Sequence, residues 1–307
     1  MHSYSTAAPR RVSNRPDSEL LDLDTTMGAV TLRVADLEVM TAYYRDGVRL
    51  AVLEQTTAPG GEARVVLGHR GVPSVILDHA PGLRHAGPGA AGLFHTAIVY
   101  QDQRDLAAAV YSSYQHPAGA YAGAADHAVS QAFYFTDPEG NGVELYWDRE
   151  RTEWSWVGGH IGIRADPLNV NRFISEHLDQ NSLESAAGGP SSVGHIHLCV
   201  GDIDTARTFY VKQLGFEITA EIPGALFVSA GGYHHHMAMN TWNSPHAGRR
   251  RLALGLGVVR IRVPDADAIG QFDERLRYHG LTVGHESDGL VFTDPWDNTV
   301  EIATMSD

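Results

Sequence analysis

The stretch FHTAIVYQDQRDLAAAVYSSYQH, residues 94–116, predicts a β-strand followed directly by an α-helix. Apolar residues alternate along HTAIVY, as in a strand, and after Asp102 their spacing becomes that of an amphipathic helix. Asp102 stands where a helix N-cap is expected, because its carboxylate can accept hydrogen bonds from the first free backbone N–H groups. The fold prediction depends on this strand–Asp–helix pattern.

The same pattern occurs three more times along the chain. The further copies are GAVTLRVADLEVMTAYYRDGVRL (28–50), GHIHLCVGDIDTARTFYVKQLGF (194–216) and GVVRIRVPDADAIGQFDERLRYHG (257–280), with Asp36, Asp202 and Asp265 at the expected N-caps. Short β-rich runs follow each helix, and two of them, TDPEGNGVEL and TDPWDNTVEI, are typical of tight hairpins opened by Asp-Pro. One such unit is too small to bury both faces of its sheet, so we expect the copies to pair.

The repeats predict an α+β fold. Four βαβββ modules pair into cupped mixed β-sheets, with the helices outside. We assign residues 1–26 to an N-terminal lead-in and the modules to residues 27–82, 92–150, 192–245 and 252–307.

The composition excludes several classes of function. A formal net charge of −14 gives no electrostatic match for a nucleic-acid backbone. No apolar run approaches the roughly 20 residues of a membrane span, and the first 26 residues lack the apolar region of a secretory signal, so we expect a cytoplasmic protein. The lone Cys199 excludes an internal disulfide and a multi-thiolate site, so any metal must be held by histidine and carboxylate.

Metal-ligating residue types recur at equivalent positions of the repeat. Alignment on the Asp after the first strand makes four residues equivalent: Ala29, His95, His195 and Val258. Alignment of the two hairpins makes Glu144 equivalent to Glu301. The second and third modules therefore offer an imidazole at this position, whereas the first and fourth do not.

This organisation resembles the vicinal oxygen chelate superfamily, which includes glyoxalase I, bleomycin-binding proteins and extradiol catechol 2,3-dioxygenases. The resemblance covers nearly the whole chain after the lead-in, and four modules in one chain are usual for the dioxygenases. In this superfamily the metal is bound at the two strand positions described above. The resemblance therefore implies His95, Glu144 and His195 as metal ligands, with modules 2 and 3 paired at the metal site and modules 1 and 4 paired without metal.

The residue types agree with that implication. Two neutral imidazoles and one carboxylate can occupy one face of an octahedral ion and leave positions open, as in non-heme Fe(II) sites, and Mn(II) fits the same ligands. His197 shares a strand face with His195 and is the alternative ligand. Most extradiol enzymes hold iron in their last two modules, so this chain departs from the usual arrangement.

The resemblance also implies a catalytic histidine. In the dioxygenases a histidine in the module without the carboxylate ligand lies beside the bound catechol and dioxygen and transfers a proton. HHHMAM, residues 234–239, resembles the sequence around it and assigns that role to His235. We expect the strand pleat to turn His234 and His236 to the other face, and His236 is the alternative to His235. An imidazole suits proton transfer at neutral pH.

Two further residues match positions in the dioxygenases. Tyr134, ten residues before Glu144, matches a tyrosine that hydrogen-bonds the substrate oxygen. His127 resembles a second-sphere histidine that precedes the same strand. Taken singly, a strand tyrosine is usually a packing residue and a histidine before a strand is usually solvated, so these roles depend on the ligand pattern.

The implied activity is extradiol cleavage of a small catechol-type aromatic diol by O2, which incorporates both oxygen atoms. One alternative is another metal-dependent enzyme of the superfamily, such as a glyoxalase-like isomerase, which predicts a glutamate in both paired modules. In module 3, Asn240 or a near neighbour is expected at that position. The other alternative is a metal-free protein that binds an aromatic ligand. A homo-oligomer is compatible with the sequence, and neither nucleic acid nor membrane is an expected partner.

Overall fold

The computed structural model of the protein describes residues 10, 12–185, 188–286 and 289–305. Its helices are α1 (Leu37–Ala42), α2 (Gln103–Gln115), α3 (Val170–His177), α4 (Gln180–Glu184), α5 (Ile203–Ala206) and α6 (Ala266–Tyr278). Helices α1 and α5 continue as π-helical turns at Tyr43–Gly47 and Arg207–Gln213. Short 3-10 turns lie at Asp17–Glu19 and Arg151–Glu153.

The strands of the first half are β1 (Thr26–Met27), β2 (Val30–Val34), β3 (Ala51–Thr57), β4 (Ala63–His69), β5 (Val72–His79), β6 (Gly92–Tyr100), β7 (Ala120–Asp126), β8 (Ser130–Thr136) and β9 (Gly142–Asp148). The strands of the linking segment are β10 (Trp156–Val157), β11 (His160–Ile161) and β12 (Asp166–Pro167). The strands of the second half are β13 (Ser191–Cys199), β14 (Glu217–Ile222), β15 (Ala225–Ser229), β16 (Met237–Asn240), β17 (Gly255–Val263), β18 (Gly284–Glu286), β19 (Gly289–Thr293) and β20 (Thr299–Thr304).

Within the described residues these strands form two nine-stranded mixed sheets and one two-stranded hairpin. One sheet has the order β12-β7-β8-β9-β6-β13-β16-β15-β14 and is called here the His–Glu sheet. The other has the order β18-β19-β20-β17-β2-β5-β4-β3, with β1 beside β17, and is called the Arg–Glu sheet. The antiparallel pairs β6–β13 and β2–β17 join the two halves of each sheet. The architecture confirms the predicted α+β fold.

Each repeated helix begins at its predicted cap. The Asp36 carboxylate accepts from the backbone N–H of Val39 at 3.0 Å, and Asp102 accepts from Arg104 at 2.8 Å. The second half has the same contacts: Asp202 accepts from Thr205 at 2.7 Å, and Asp265 accepts from Ala268 at 2.9 Å. These carboxylates satisfy donors that a helix start leaves free, which confirms the N-cap prediction.

The two Asp-Pro hairpins are held by equivalent buried contacts. Asp137 accepts from the side-chain amide of Asn141 at 2.8 Å and from the hydroxyl of Tyr44 at 3.0 Å. Asp294 accepts from Asn298 at 2.8 Å and from Tyr210 at 2.9 Å. Each tyrosine comes from the preceding repeat, so these bonds connect neighbouring repeats through a buried carboxylate.

Apolar side chains of both sheets and their helices form one continuous core. It includes Leu32, Ile98, Phe133, Phe209 and Val259, all buried. The lead-in also packs onto this body, because Leu20 and Leu21 are buried and the backbone N–H groups of Val12 and Ser13 donate to Glu217. No helix in the described part of the chain has the length and apolar character to cross a membrane.

Candidate active site

Three strands of the His–Glu sheet bring His95, Glu144 and His195 together. His195 on β13 lies opposite Ala97, two residues along β6 from His95, and Glu144 on β9 also pairs with Ala97. All three side chains therefore emerge on one face of the sheet around Ala97. The nitrogen Nε2 of His95 lies 2.9 Å from Oε2 of Glu144 and 3.3 Å from Nε2 of His195, and the third distance, His195 to Glu144, is 3.2 Å.

The donor set fits a divalent metal ion. The three residues are at most 6% exposed, and their ligand atoms converge at one point. Burial alone raises the pKa of Glu144, but the adjacent His195 and His95 lower it well below its usual range. Burial lowers the pKa of His195 to about 4. At neutral pH the carboxylate is therefore ionised and His195 is uncharged, as metal coordination requires, and the set is the two-histidine, one-carboxylate type used for non-heme iron.

His197, the alternative ligand, lies outside this convergence. It sits opposite His95 in the β6–β13 pair, and its Nε2 lies 2.9 Å from the side-chain amide nitrogen of Asn240. The amide N–H donates to the imidazole, which occupies the lone pair that a metal would need. The geometry therefore favours His195 as the ligand.

Strand register identifies the counterpart of Glu144 in the third repeat. Glu144 pairs with Ala97, and the residue that pairs with the equivalent His197 is Ala238 on β16. The sequence alignment predicts Asn240 or a near neighbour; Asn240 lies two residues further along and pairs with Cys199, so Ala238 is the neighbour that occupies the position. The third repeat thus has no carboxylate at this position.

The histidine run does not follow the predicted alternation. Strand β16 begins at Met237, so residues 234–236 form the turn before the strand, and the prediction that a pleat separates His235 from its neighbours is wrong. The ring centroids of His235 and His195 are 4.0 Å apart, and His235 lines a cavity beside the three candidate ligands. His236, the alternative to His235, turns away and accepts from the backbone N–H of Ala230 at 3.2 Å.

His234 connects His235 to a carboxylate. It is completely buried, its Nε2 lies 2.9 Å from Oδ1 of Asp148, and its Nδ1 lies 2.8 Å from Nδ1 of His235. Because a carboxylate only accepts, neutral His234 carries its proton on Nε2 and accepts at Nδ1. His235 then donates from its own Nδ1, which leaves the lone pair on its Nε2.

Tyr134 and His127 form a second hydrogen-bonded chain. Tyr134 on β8 lies directly opposite Glu144, so its side chain reaches the same face of the sheet. His127 donates from Nδ1 to the backbone oxygen of Arg164 at 2.5 Å, so its Nε2 accepts the hydrogen bond from the Tyr134 hydroxyl at 2.7 Å. Burial, and then the charge of Glu144, raise the pKa of Tyr134 well above its usual range, so the hydroxyl stays protonated.

A cavity of about 610 Å³ joins all of these groups. Its lining includes the three candidate ligands together with Tyr134, His127 and His235. The volume lies within the range of small-molecule sites. The structure thus brings the six predicted site residues to a single cavity.

Asp148 is a candidate site residue that the sequence patterns did not indicate. It follows Glu144 by four positions on the same strand, so Glu144, Tyr146 and Asp148 share one face. It accepts from His234 and also from the hydroxyl of Tyr233 at 2.7 Å. The same even spacing from Glu144, applied to the sequence, is the signal that could have found it.

The chain belongs to the Glyoxalase/Bleomycin resistance protein/Dioxygenase superfamily, whose family model matches residues 26–145 and 192–302. It is 30% identical over 276 residues to the Catechol-2,3-dioxygenase of Bacillus subtilis (strain 168). This alignment covers 89% of this chain and 94% of that protein.

Solved structures agree on the fold. A structure from Bacillus subtilis subsp. subtilis str. 168 that is described as a candidate dioxygenase has a TM-score of 0.64 at 17% identity, covering 92% of this chain and 86% of that one. Glyoxalase I from Zea mays has a TM-score of 0.56 at 18% identity, covering 92% of each chain. At these identities the similarity establishes the fold alone.

Proposed function

We propose that the protein is an extradiol ring-cleaving dioxygenase that acts on a catechol-type aromatic diol with O2. Non-heme Fe(II) would be held by His95, Glu144 and His195, and Mn(II) fits the same ligands. The observation that carries the proposal is the convergence of two imidazoles and one carboxylate on a cavity that also holds His235 and Tyr134. The similarity to a catechol-2,3-dioxygenase over 89% of the chain supports it.

The bound ion would supply the open positions at which the diol oxygens and dioxygen meet, and would pass electron density from diol to oxygen. The reaction breaks the ring bond beside the two hydroxyls, adds both atoms of O2 and consumes no external reductant. Its product is a muconic semialdehyde. The protein has to bind the diol, move its protons and keep water from the cavity.

His235 is suited to take the first proton. Its Nδ1 is engaged by His234, so its Nε2 carries the lone pair and can accept from a diol hydroxyl. Burial, and then the neighbouring histidines, lower the pKa of His235 well below its usual range, so the imidazole is uncharged before substrate binds. The proton can return to the product from the same atom.

Tyr134 is suited to orient the diol. Its hydroxyl proton is donated to His127, so the lone pairs of its oxygen can accept from a diol hydroxyl. Since the backbone oxygen of Arg164 fixes the proton of His127 on Nδ1, this direction of donation is maintained. The pair therefore holds the diol by an acceptor of fixed position.

The two alternatives receive less support. A glyoxalase-like enzyme predicts a second glutamate in the third repeat, where register gives Ala238. A metal-free binding protein has no need for a buried carboxylate between two imidazoles, since such a cluster is costly unless it serves an ion or a reaction.

The test is anaerobic reconstitution with Fe(II), followed by catechols and air, with the near-ultraviolet and visible spectrum recorded. We expect a yellow semialdehyde absorbance in the wild-type protein and none in the His95→Ala or Glu144→Ala variants. Glu301→Ala, which changes the equivalent carboxylate of the Arg–Glu sheet, is the matched control and should retain activity. Stoichiometric iron without cleavage of any catechol would refute the reaction, and failure to bind any metal would refute the ligands.

A further inference from the structure

The cavity is larger and more apolar than a bare catechol requires. Cavities of about 610 Å³ enclose ligands well beyond a single six-membered ring. Besides the polar groups, its lining includes Phe94, Ile163, Ile222, Phe227 and Trp242. The Phe94 and Trp242 rings meet edge to face with centroids 5.7 Å apart, which makes a continuous aromatic wall.

Charge is scarce on the same lining. Among the described residues that line the cavity, the acidic and basic groups other than histidine are Glu144 and Arg164. The Arg164 side chain is 65% exposed and lies 3.4 Å from Asp166, so it faces solvent and is already paired. A carboxylate on the substrate ring would therefore lose water without gaining a buried cation, which is unfavourable.

We infer that the substrate is a catechol bearing an uncharged apolar group, alkyl or aryl, that packs against Phe94 and Trp242. This inference rests on the proposed function and adds the substrate class. The diol end is held by the polar groups around Glu144, and the apolar substituent displaces water from the aromatic wall. A carboxylated catechol has no apolar group to pack against these aromatic rings, and an unsubstituted catechol leaves the space beside them unfilled.

The experiment compares four substrates with the iron-loaded enzyme: catechol, an alkylcatechol, a phenylcatechol and 3,4-dihydroxybenzoate. We expect kcat/KM for the alkyl or phenyl compound to exceed that for catechol by roughly tenfold or more, the scale on which apolar pockets discriminate substrates. The carboxylated compound should be slowest, and anaerobic binding titrations should give Kd values in the same order.

Variants test whether the aromatic wall of Phe94 and Trp242 causes the expected order of kcat/KM among the substrates. Trp242→Ala should shrink the preference for the apolar compound, whereas Trp156→Ala, on β10 and outside the lining, should leave it unchanged. Fastest cleavage of catechol or of the carboxylated compound would overturn the substrate class while leaving the reaction intact. If none of the four is cleaved, the proposed function itself fails.

A separate observation concerns how His235 is held. The chain Asp148–His234–His235 runs from a carboxylate to the cavity wall, and Asp148 is fixed further by Tyr233, whose oxygen lies 2.7 Å from that of Tyr146. Neither Asp148 nor His234 lines the cavity.

We propose that Asp148 and His234 are positioning residues that keep the lone pair of His235 on Nε2, facing the cavity. The carboxylate fixes the proton of His234 on Nε2, and the acceptor Nδ1 of His234 then fixes the proton of His235 on Nδ1. Without that acceptor, we expect His235 to carry its proton on Nε2, where it could no longer accept from the diol.

Two substitutions at His234 distinguish a role in positioning His235 from a role in packing alone. His234→Phe fills the aromatic surroundings but removes the acceptor, whereas the side-chain oxygen of His234→Asn lies near the former Nδ1 and can still accept. We expect kcat of the Phe variant to fall by roughly tenfold or more with substrate Kd and iron content unchanged, and the Asn variant to recover most of it.

A readout that needs no turnover completes the test. In the metal-free protein, nitrogen NMR should find His235 protonated on Nδ1 in the wild type and in His234→Asn, and on Nε2 in His234→Phe. Equal kcat in the two variants, or an unchanged His235 tautomer in the Phe variant, would overturn the positioning role.

Discussion

The His–Glu sheet and the Arg–Glu sheet place a carboxylate at the same point and give it different partners. Glu144 pairs in register with Ala97, and Glu301 pairs with the equivalent Arg260. Around Glu144 stand two imidazoles. Around Glu301 the guanidinium of Arg260 forms two hydrogen bonds, of 2.7 and 2.6 Å.

The same backbone position can thus place its carboxylate among imidazoles that fit a metal ion, or against an internal cation. Ala29 and Val258 occupy the positions equivalent to His95 and His195, so neither of these positions in the Arg–Glu sheet offers an imidazole beside Glu301. Arg260 supplies the positive charge instead. Three positions per sheet thus distinguish a carboxylate in a candidate reactive centre from one in an ion pair.

The largest expected effect is a difference in metal content and kcat/KM between variants of Glu144 and of Glu301. Glu144→Ala should remove most of the bound metal and lower kcat/KM by roughly a thousandfold or more, because loss of a mere supporting partner of a metal ligand already costs about 10- to 100-fold. Glu301→Ala should leave both unchanged. Metal analysis and steady-state kinetics on the two variants check this. Equal loss of metal in both would mean that the sheets do not differ as described.

A second effect concerns the ion pair of the Arg–Glu sheet. Arg260→Ala leaves the Glu301 carboxylate, about one-fifth exposed, without its partner, and we expect the free energy of unfolding to fall by about 2–3 kcal/mol, less than for a fully buried pair. Urea denaturation measures the change. The double variant Arg260→Ala/Glu301→Ala should be more stable than Arg260→Ala alone, and the opposite order would contradict a paired charge.

Much of the architecture could be predicted from sequence because it is local. The alternation of apolar residues, the Asp caps and the Asp-Pro hairpins specify each repeat within a few dozen residues, and the alignment of His95 with His195 nominates facing positions. The turn before β16 could not be predicted this way. By register, His235 stands where the two hairpins have Asn141 and Asn298, which bind Asp137 and Asp294, so the third repeat has exchanged a structural turn residue for an imidazole.

The path of residues 234–236 also depends on contacts with residues outside the run, one of them distant in sequence. Asp148, 86 residues away, binds His234, and Ser229 and Ala230 bind His236. A pleat rule applied to HHHMAM assumes that the strand already includes the histidines, and these contacts hold them in a turn instead. Pairwise strand register likewise selects Ala238, a near neighbour of Asn240, because only the sheet shows which residue faces His197.

The third effect tests what the two sheets share. Tyr44→Phe and Tyr210→Phe each remove one hydrogen bond to a buried hairpin carboxylate, at Asp137 and Asp294. We expect each to lower the free energy of unfolding by about 1.5 kcal/mol, in the range for a bond to a charged group, and by similar amounts since the contacts are equivalent. Denaturation curves of the two variants provide the comparison. A large difference between them would show that the repeats are not equivalent at this contact.

The smallest effect is a difference in pH dependence between equivalent positions. His236 on the His–Glu side is buried, which lowers its pKa to about 3, and the residue in the same register on the Arg–Glu side, Thr299, does not titrate. Unfolded His236 binds a proton below about pH 6.5, whereas the folded form does not until near pH 3. Its contribution to stability is therefore complete above pH 6.5 and is lost progressively as the pH falls toward 3.

His236→Asn should flatten that loss, because the amide oxygen can still accept from the Ala230 N–H but cannot be protonated in this range. Urea denaturation at pH 7 and pH 5 gives the slope. The exposed His160→Asn is the control and should keep the wild-type slope. If the His236 variant loses as much stability as the wild type between these pH values, the acid sensitivity arises from groups other than His236, and the turn that carries the histidines does not account for a difference between the two sheets.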